Sequence, residues 1–576
     1  MKSRRAGIIL SCLAFASVTP GWAADPVSAP AGGAKTDTAV ELERLKNLLA
    51  KQQQQIESLR ASLAEQKKLL EQLGAASAAA PIEHVTPADR LIASTTPMAL
   101  PPATTPAPSP RFDMPSPQAP AEPVTSPLQL KVGNTSIMPV GFMDMTAVSR
   151  STNPGSGIGT NFGSIPYRNT QAGSLTETRL SPQNSRIGMR MDTGYKGVNV
   201  LGYWESDFLG QTGAPPNGGL AVSSNPYVFR LRLYWVDVTK GKFEFMGGQA
   251  WSLMTPGRTG ISPLPGNLFY TQDIDVNYQL GLVWGRIPGF RGTYHFSPKA
   301  AFALALENSE PYVGGGNGGS AIVGPAAIYG TPNAVSGAVL GGQINNGASV
   351  ITAAALHPDI IAKLAFDPSP KFHFEIAGVE ITNKFANPVS TPAFQTATKA
   401  GGGGAVNFNV ELAKGFRFFT NNFWSAGGGR YIFGQAPDFM IRADGSLSLI
   451  RSGSTVTGFE ATVGKTMPTL LYAYYGGVYI PKNMALDANG TTKIGYGSIA
   501  NDGQNRSIQE ITFGTNTTLA KDAKWGALNL MFQYSYLQRN PWLVTGTSPS
   551  SASASMGFVN LRYTLPGSAP PRIEYK

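Results

Sequence analysis

Arg186 and Arg190, and again Arg230 and Arg232, sit at even spacings inside segments whose residues alternate between apolar and polar. Side chains two or four residues apart share one face of an extended chain. Each pair therefore projects two guanidinium groups in one direction, and a guanidinium is a rigid fork of donors suited to carboxylates and other anions. Glu205 and Asp207 share a face in the segment between the two pairs. Arg186 and Arg190 could pair with Glu205 and Asp207 on the neighbouring strand and brace a wall, or the arginines could leave an excess of positive charge to act on a passing solute. From the residues alone both readings stay open. Arg286 and Arg291 add two further bases, and the stretch 254–283 contributes Arg258, Asp273 and Asp275. An acidic connection facing a basic wall would set up a transverse field that sorts solutes by charge and dipole.

Turnover chemistry has no comparable constellation. The four histidines, His84, His295, His357 and His373, stand in no ligand spacing, and no Ser/His/Asp grouping is evident. His295 and His373 fall in strand-like segments, where a histidine facing water or a membrane interface is the expectation. The glycine runs Gly314 to Gly316 and Gly401 to Gly404 match no phosphate loop and read as flexible loop composition. Neither an enzyme nor a cofactor or metal is expected. The formal charge of +11 comes without a Lys/Arg cluster or a nucleic-acid motif, which argues against nucleic acid as a partner.

The elements that would hold these charges are legible from about Thr135 onward. In 185–191, Ser185, Ile187, Met189 and Met191 oppose Arg186 and Arg190; in 198–208, Val198, Val200, Trp204 and Phe208 oppose Asn199, Tyr203, Glu205 and Asp207. Connections between such segments alternate in length. The short ones fall at Gly194 to Lys196, Lys240-Gly241, Ser297-Pro298, Pro368 to Pro370, Lys414-Gly415, Thr466 to Pro468 and Lys521 to Ala523. The long ones fall near 150–179, 210–226, 254–283, 310–357, 384–403, 426–452, 482–505 and 540–553. Seven turns and eight loops join sixteen strands, with both ends on the short-turn side, as in bacterial β-barrels.

Composition agrees. Charged residues make up 14%, against about a quarter in ordinary globular chains. After the first twenty residues no stretch approaches the ~20 apolar residues of a spanning helix, so crossing a membrane would require a closed barrel. The expected fold class is all-β: a 16-stranded antiparallel transmembrane β-barrel over 129–576. Trp204, Phe208, Trp235, Trp251, Tyr431 and Trp525 are candidates for interfacial girdles.

Ahead of the barrel three segments differ in character. Residues 1–23 read as a signal peptide: Lys2, Arg4 and Arg5, then apolar Ala6 to Val18, then Gly21-Trp22-Ala23. Cleavage there would remove Cys12, the single cysteine. Within 36–74, Leu42, Leu45, Leu49, Gln52, Ile56, Leu59, Leu63, Gln66, Leu70 and Leu73 alternate by three and four. That spacing predicts an α-helical coiled coil about 48 Å long. Residues 75–128, with thirteen prolines from Pro81 to Pro127, predict a disordered, semi-rigid Pro/Ala-rich linker.

Several segments resemble the DcaP-like outer-membrane porins: N-S-R-I-G (Asn184 to Gly188), E-S-D-F (Glu205 to Phe208), R-L-R (Arg230 to Arg232), G-Q-A-W-S-L (Gly248 to Leu253), R-I-P-G-F-R (Arg286 to Arg291), A-L-E-N (Ala305 to Asn308), H-P-D-I-I-A-K-L (His357 to Leu364) and N-L-R-Y-T-L-P (Asn560 to Pro566). The chain departs from the pattern at Gly289-Phe290, between the two arginines, and in the eleven residues that follow Leu565. The resemblance implies a trimeric barrel with a periplasmic coiled-coil arm, in the outer membrane of a Gram-negative-type bacterium. It implies a passive channel for small hydrophilic solutes, leaning toward small anions such as dicarboxylates. In porins the long loop after the fifth strand, here 254–283, folds inward and narrows the passage. Partners would be outer-membrane lipid, two further copies of the chain and the barrel assembly machinery. The alternative is an envelope-tethering or adhesive barrel in which the pore is secondary, with a barrel hydrolase third.

Overall fold

The computed structural model describes residues 126–567 apart from 211–226, 269–270, 316–317, 330–352, 499–502 and 545; before them it describes only Lys46, Gln53 and Glu57, each helical. The chain divides into two units, Met1–Ser109 and Pro110–Lys576, and all the strands belong to the second. The signal segment, the coiled-coil seam and nearly all of the linker lie outside the described residues.

Sixteen antiparallel strands close into a barrel. They are β1 (Thr135–Arg150), β2 in two pieces (Glu177–Ser181 and Arg186–Tyr195), β3 (Val198–Gly210), β4 (Val228–Lys240), β5 (Phe243–Trp251), β6 (Arg286–Ser297), β7 (Ala300–Glu307) and β8, again in two pieces (Ala353–Ala355 and Asp359–Ser369). There follow β9 (Phe372–Asn387), β10 (Gln395–Ala413), β11 (Phe416–Ala426), β12 (Arg451–Val463), β13 (Thr469–Tyr479), β14 (Asn505–Asp522), β15 (Gly526–Pro541) and β16 (Ala552–Thr564). Each strand pairs with the next, and a seam running from Phe142↔Thr564 to Arg150↔Met556 joins β1 to β16. Ser126 Oγ donates to Pro566 O at 2.7 Å beside this seam, on the turn side of the barrel.

Alternation explains which way each side chain faces. Met143, Ile187, Leu231, Phe290, Leu306, Phe532 and Leu561 are exposed on the outer wall, where lipid replaces water and apolar groups cost nothing. Their neighbours Asp144, Arg232, Arg291, Glu307, Gln533 and Asn560 are buried inside, and closure leaves no unpaired strand edge.

The turns and loops follow the expected order, with one revision. The fifth long connection, expected at 384–403, is only 388–394, because β9 and β10 continue to Asn387 and Gln395. Gly401 to Gly404 are strand residues paired with Ile381 to Gly378, not flexible loop. Glycine is used there for close approach: a Cβ on Gly403 would lie 2.9 Å from the Phe423 ring and 2.8 Å from Trp424 O.

On the loop side the connections fold over the mouth around one apolar core. Phe162 and Ile165, Val313 and Ile322, Ile432 and Met440, and Ile494 and Tyr496 belong to four different loops and are all buried in it. Two small ladders, Phe439–Ile441 with Leu447–Leu449 and Asn483–Leu486 with Lys493–Tyr496, stiffen it.

Candidate functional site

The inner wall of β2, β3 and β4 carries a run of arginines with two carboxylates between them. Arg230 binds Asp207 with Nε at 2.9 Å and Nη2 at 2.7 Å. Arg232 bridges both acids, Nε to Glu205 at 2.7 Å and Nη1 to Asp207 at 2.6 Å. Arg186 lies 3.5 Å from Glu205 and over the Phe142 ring, 5.0 Å from its centroid. The two acids thus pair with Arg186, Arg230 and Arg232, and the expected pairing of Arg190 with them is replaced by one with Asp192.

Arg232 reaches both acids because of a β-bulge. The β3–β4 register runs Glu205↔Leu233 and then Ser206↔Leu231, leaving Arg232 as the extra residue. A bulge re-aims its side chain and inverts the alternation beyond it. Phe229 and Leu231 face outward before it, Tyr234 and Val236 after it. The inversion also corrects the girdle assignment of Trp235, which is 2% exposed and stacks on Tyr203 inside the barrel at 5.4 Å. Trp251 and Tyr431 are likewise interior, whereas Trp525 is exposed and Trp204 and Phe208 both pack on outward-facing Phe229.

Arg190 is held apart from this cluster, with both its Nε and Nη2 on Asp192 at 2.8 Å. Arg286 is buried between two indoles, 5.5 Å from the Trp251 centroid and 5.3 Å from that of Trp284. Arg291 donates to Trp251 O at 2.8 Å.

The connection 252–285, between β5 and β6, lies within the barrel and is bonded to walls on several sides. Its first limb runs down toward the turns. Arg258 grips Glu460 of β12 at 3.0 and 2.9 Å, Gly257 N donates to Glu375 of β9 and Gly260 N to Asp367 of β8. Lys363 of β8 donates to Thr255 O at 2.7 Å and to Glu375 at 3.1 Å. Its second limb crosses at mid-height. Gln272 N donates to Tyr474 of β13, Ile274 N to Gln533 of β15 and Leu280 N to Glu510 of β14.

From that limb Tyr278 extends to the arginine wall, its hydroxyl accepting from Nη2 of both Arg186 and Arg232 at 3.4 Å. Asp275 turns the other way and accepts from Thr160 N at 3.2 Å in the first loop. Asp273 is next to it. Burial, reinforced by the Asp275 charge, pushes the Asp273 carboxyl up to about 7. Burial also pushes Tyr278 up, but the charges of Arg186, Arg232 and Arg286 outweigh it, and the phenol ends below its ordinary range.

Two histidines join acids inside the barrel. His295 contacts Glu244 at 2.9 Å, and His373 spans Asp367 at 2.9 Å and Glu375 at 3.3 Å. Of the residues that pin the loop, Glu460, Glu375 and Lys363 stand on polar faces of alternating runs, so their inward direction was available from the sequence. Tyr278 had no such signal, since the loop has no period. Among the described residues no cluster of three or more His, Cys, Asp or Glu has metal-binding geometry.

No protein-family model matches the sequence, and no curated protein matches it. Solved structures are similar to it. The outer membrane channel DcaP of Acinetobacter baumannii is 13% identical, with 76% of this chain and 99% of that one aligned at a TM-score of 0.53. The anion-selective porin from Comamonas acidovorans, also 13% identical, aligns over 75% and 100% at 0.39. OmpT of Vibrio cholerae, 10% identical, aligns over 76% and 99% at 0.39. At these identities the likeness to DcaP is one of fold.

Proposed function

We propose that the chain is an outer-membrane porin, a passive diffusion channel for small hydrophilic solutes that favours small anions such as dicarboxylates. The observation that carries the preference is the charge balance of the arginine wall. Three guanidiniums, Arg186, Arg230 and Arg232, pair with two carboxylates, Glu205 and Asp207, and Arg286 lies over the Trp251 ring that Arg232 also faces, which leaves positive charge in excess. In a confined passage that excess is screened less than over the ~8 Å of free electrolyte at physiological salt. Positive charge attracts anions to the passage, and the guanidinium fork matches a carboxylate. The inward-folded connection 252–285 narrows the space in front of the wall, and the fold shared with an outer-membrane channel supports the same reading.

In this reading the chain is exported by the signal peptide 1–23 and inserted into the outer membrane of a Gram-negative-type bacterium by the barrel assembly machinery. The arm 36–74 pairs in the periplasm through Leu42 to Leu73 and joins a homotrimer by way of the linker 75–128. No cofactor, catalysis or nucleic acid enters the scheme.

The deciding measurement is the reversal potential of single channels in a potassium chloride gradient. The wild type is expected to prefer chloride, and Arg286→Glu to lose that preference or invert it. A cation-selective wild type, or an unchanged variant, would overturn the anion assignment. A barrel that inserts but does not conduct would leave envelope tethering as its role.

A further inference from the structure

Every one of the seven short turns contains a lysine. Lys196, Lys242, Lys299, Lys371 and Lys414 stand in the first five, all exposed, and the turns at 464–468 and 523–525 repeat the feature with one lysine each. Chance placement does not put one residue type in every turn of a chain whose charged residues are only 14%.

The same turns carry outward apolar side chains. Tyr195 is 68% exposed, Phe243 67% and Phe296 50%, with Phe416, Met467 and Trp525 also exposed farther round. Lys196 lies 5.1 Å from the Tyr195 ring centroid, and Lys242 Nζ reaches Phe296 O at 3.0 Å. The rim is thus an amphipathic band, with rings at the edge of the lipid-facing wall and ammonium groups at its end.

The nearby acids do not neutralise it. Glu411 accepts from Gly415 N and Asp522 from Lys524 N, so both cap turn backbone, and Asp192 is taken by Arg190. Among the described residues no carboxylate lies within 4.0 Å of any of these turn ammonium groups.

Aromatic residues settle at the headgroup level of a bilayer, and lysines beside them extend to the phosphates. Clustered lysines at a membrane surface are drawn to anionic headgroups. In bacterial barrels short turns lie on the periplasmic side, where the barrel meets the inner leaflet of its membrane. We propose that the turn rim is a binding ring for anionic phospholipid headgroups, which holds the barrel at a fixed depth. This inference does not require the barrel to conduct.

The test compares the full-length wild type with a Lys242→Gln, Lys299→Gln, Lys371→Gln, Lys414→Gln variant. Both are refolded in vesicles of phosphatidylglycerol mixed equally with phosphatidylcholine, then extracted in mild detergent. Retained lipid is counted by native mass spectrometry, and heat-modifiable gel migration verifies that each barrel is folded. The wild type is expected to retain phosphatidylglycerol severalfold over phosphatidylcholine, and the variant to lose most of that preference. Equal retention of both lipids by the wild type would overturn the proposal. So would an undiminished preference in the folded variant, including the case in which only its current–voltage asymmetry changes, since the ring would then act on solutes instead of lipid.

Discussion

The Tyr278 hydroxyl accepts a hydrogen bond from Arg232 Nη2 at 3.4 Å, joining the inward-folded connection to the opposite wall of the barrel. Tyr278 also packs on Trp251 and Trp284, with ring centroids 6.0 and 5.3 Å away. One phenol therefore closes the contact between a loop pinned on β12 to β15 and the arginines of β2 and β4.

Its charge state should be readable. The neighbouring arginines hold Tyr278 below its ordinary range, so phenolate forms as pH rises and subtracts from the positive excess. Reversal potentials followed from neutral pH up to the ordinary phenol value of about 10 should show the proposed anion preference falling with pH. Tyr278→Phe keeps the ring and cannot ionise, and its preference should fall less. Identical pH profiles for the two proteins would exclude Tyr278 as a source of the change.

Asp273 should act in a lower window. Burial raises its carboxyl to about 7, so the folded barrel disfavours its ionised form. Its favourable contribution is complete below the unfolded value of about 4 and is lost as pH rises through about 7. Asp273→Asn is therefore expected to flatten the dependence of thermal stability on pH between about 4 and 7, measured as the temperature of the gel-mobility transition. Parallel curves for the variant and wild type would refute this.

The ion pair of Arg258 with Glu460 anchors the lower limb of the same connection. Arg258→Ala leaves Glu460, 2% exposed, without the guanidinium that binds it, with the Tyr474 hydroxyl and the Arg417 charge remaining, and breaking a buried pair from one side costs about 3–5 kcal/mol. Lower thermal stability and noisier single-channel current should appear together. Adding Glu460→Gln should recover part of the stability, because the uncompensated charge is then gone. A double variant as unstable as the sum of the single variants would mean that the two residues act independently.

Gly403 tests the glycine run of β10. A methyl group there meets the Phe423 ring and Trp424 O, and overpacking of this kind costs about 1–3 kcal/mol. Gly403→Ala should lower the transition temperature, whereas Gly404→Ala, whose nearest neighbour is Ala377 O at 3.8 Å, should scarcely change it.

Strand number and the directions of Arg186, Glu205 and Asp207 were legible because a period of two is written into every strand. Concealment began wherever that period is interrupted. The bulge at Arg232 inverted the facing of Trp235, and a pure glycine run looked like loop because glycine lacks the side chain that would reveal alternation. Contacts of 252–285 were beyond reach for another reason. They join residues as far apart as Arg258 and Glu460, 202 positions distant, and no local pattern encodes a partner at that separation.

The β1–β16 seam bears on the order in which the barrel assembles. Every other neighbouring pair of strands is consecutive in the chain and can form as its own segment arrives, while Phe142 must wait for Thr564. Closing so long a loop adds little free energy, because the entropic cost grows only with the logarithm of its length. The delay is kinetic, since distant pairings are slow to find one another. Until the last strand is delivered, β1 presents an unpaired edge to its surroundings, and whatever shields that edge meanwhile governs whether the chain becomes a barrel or an aggregate.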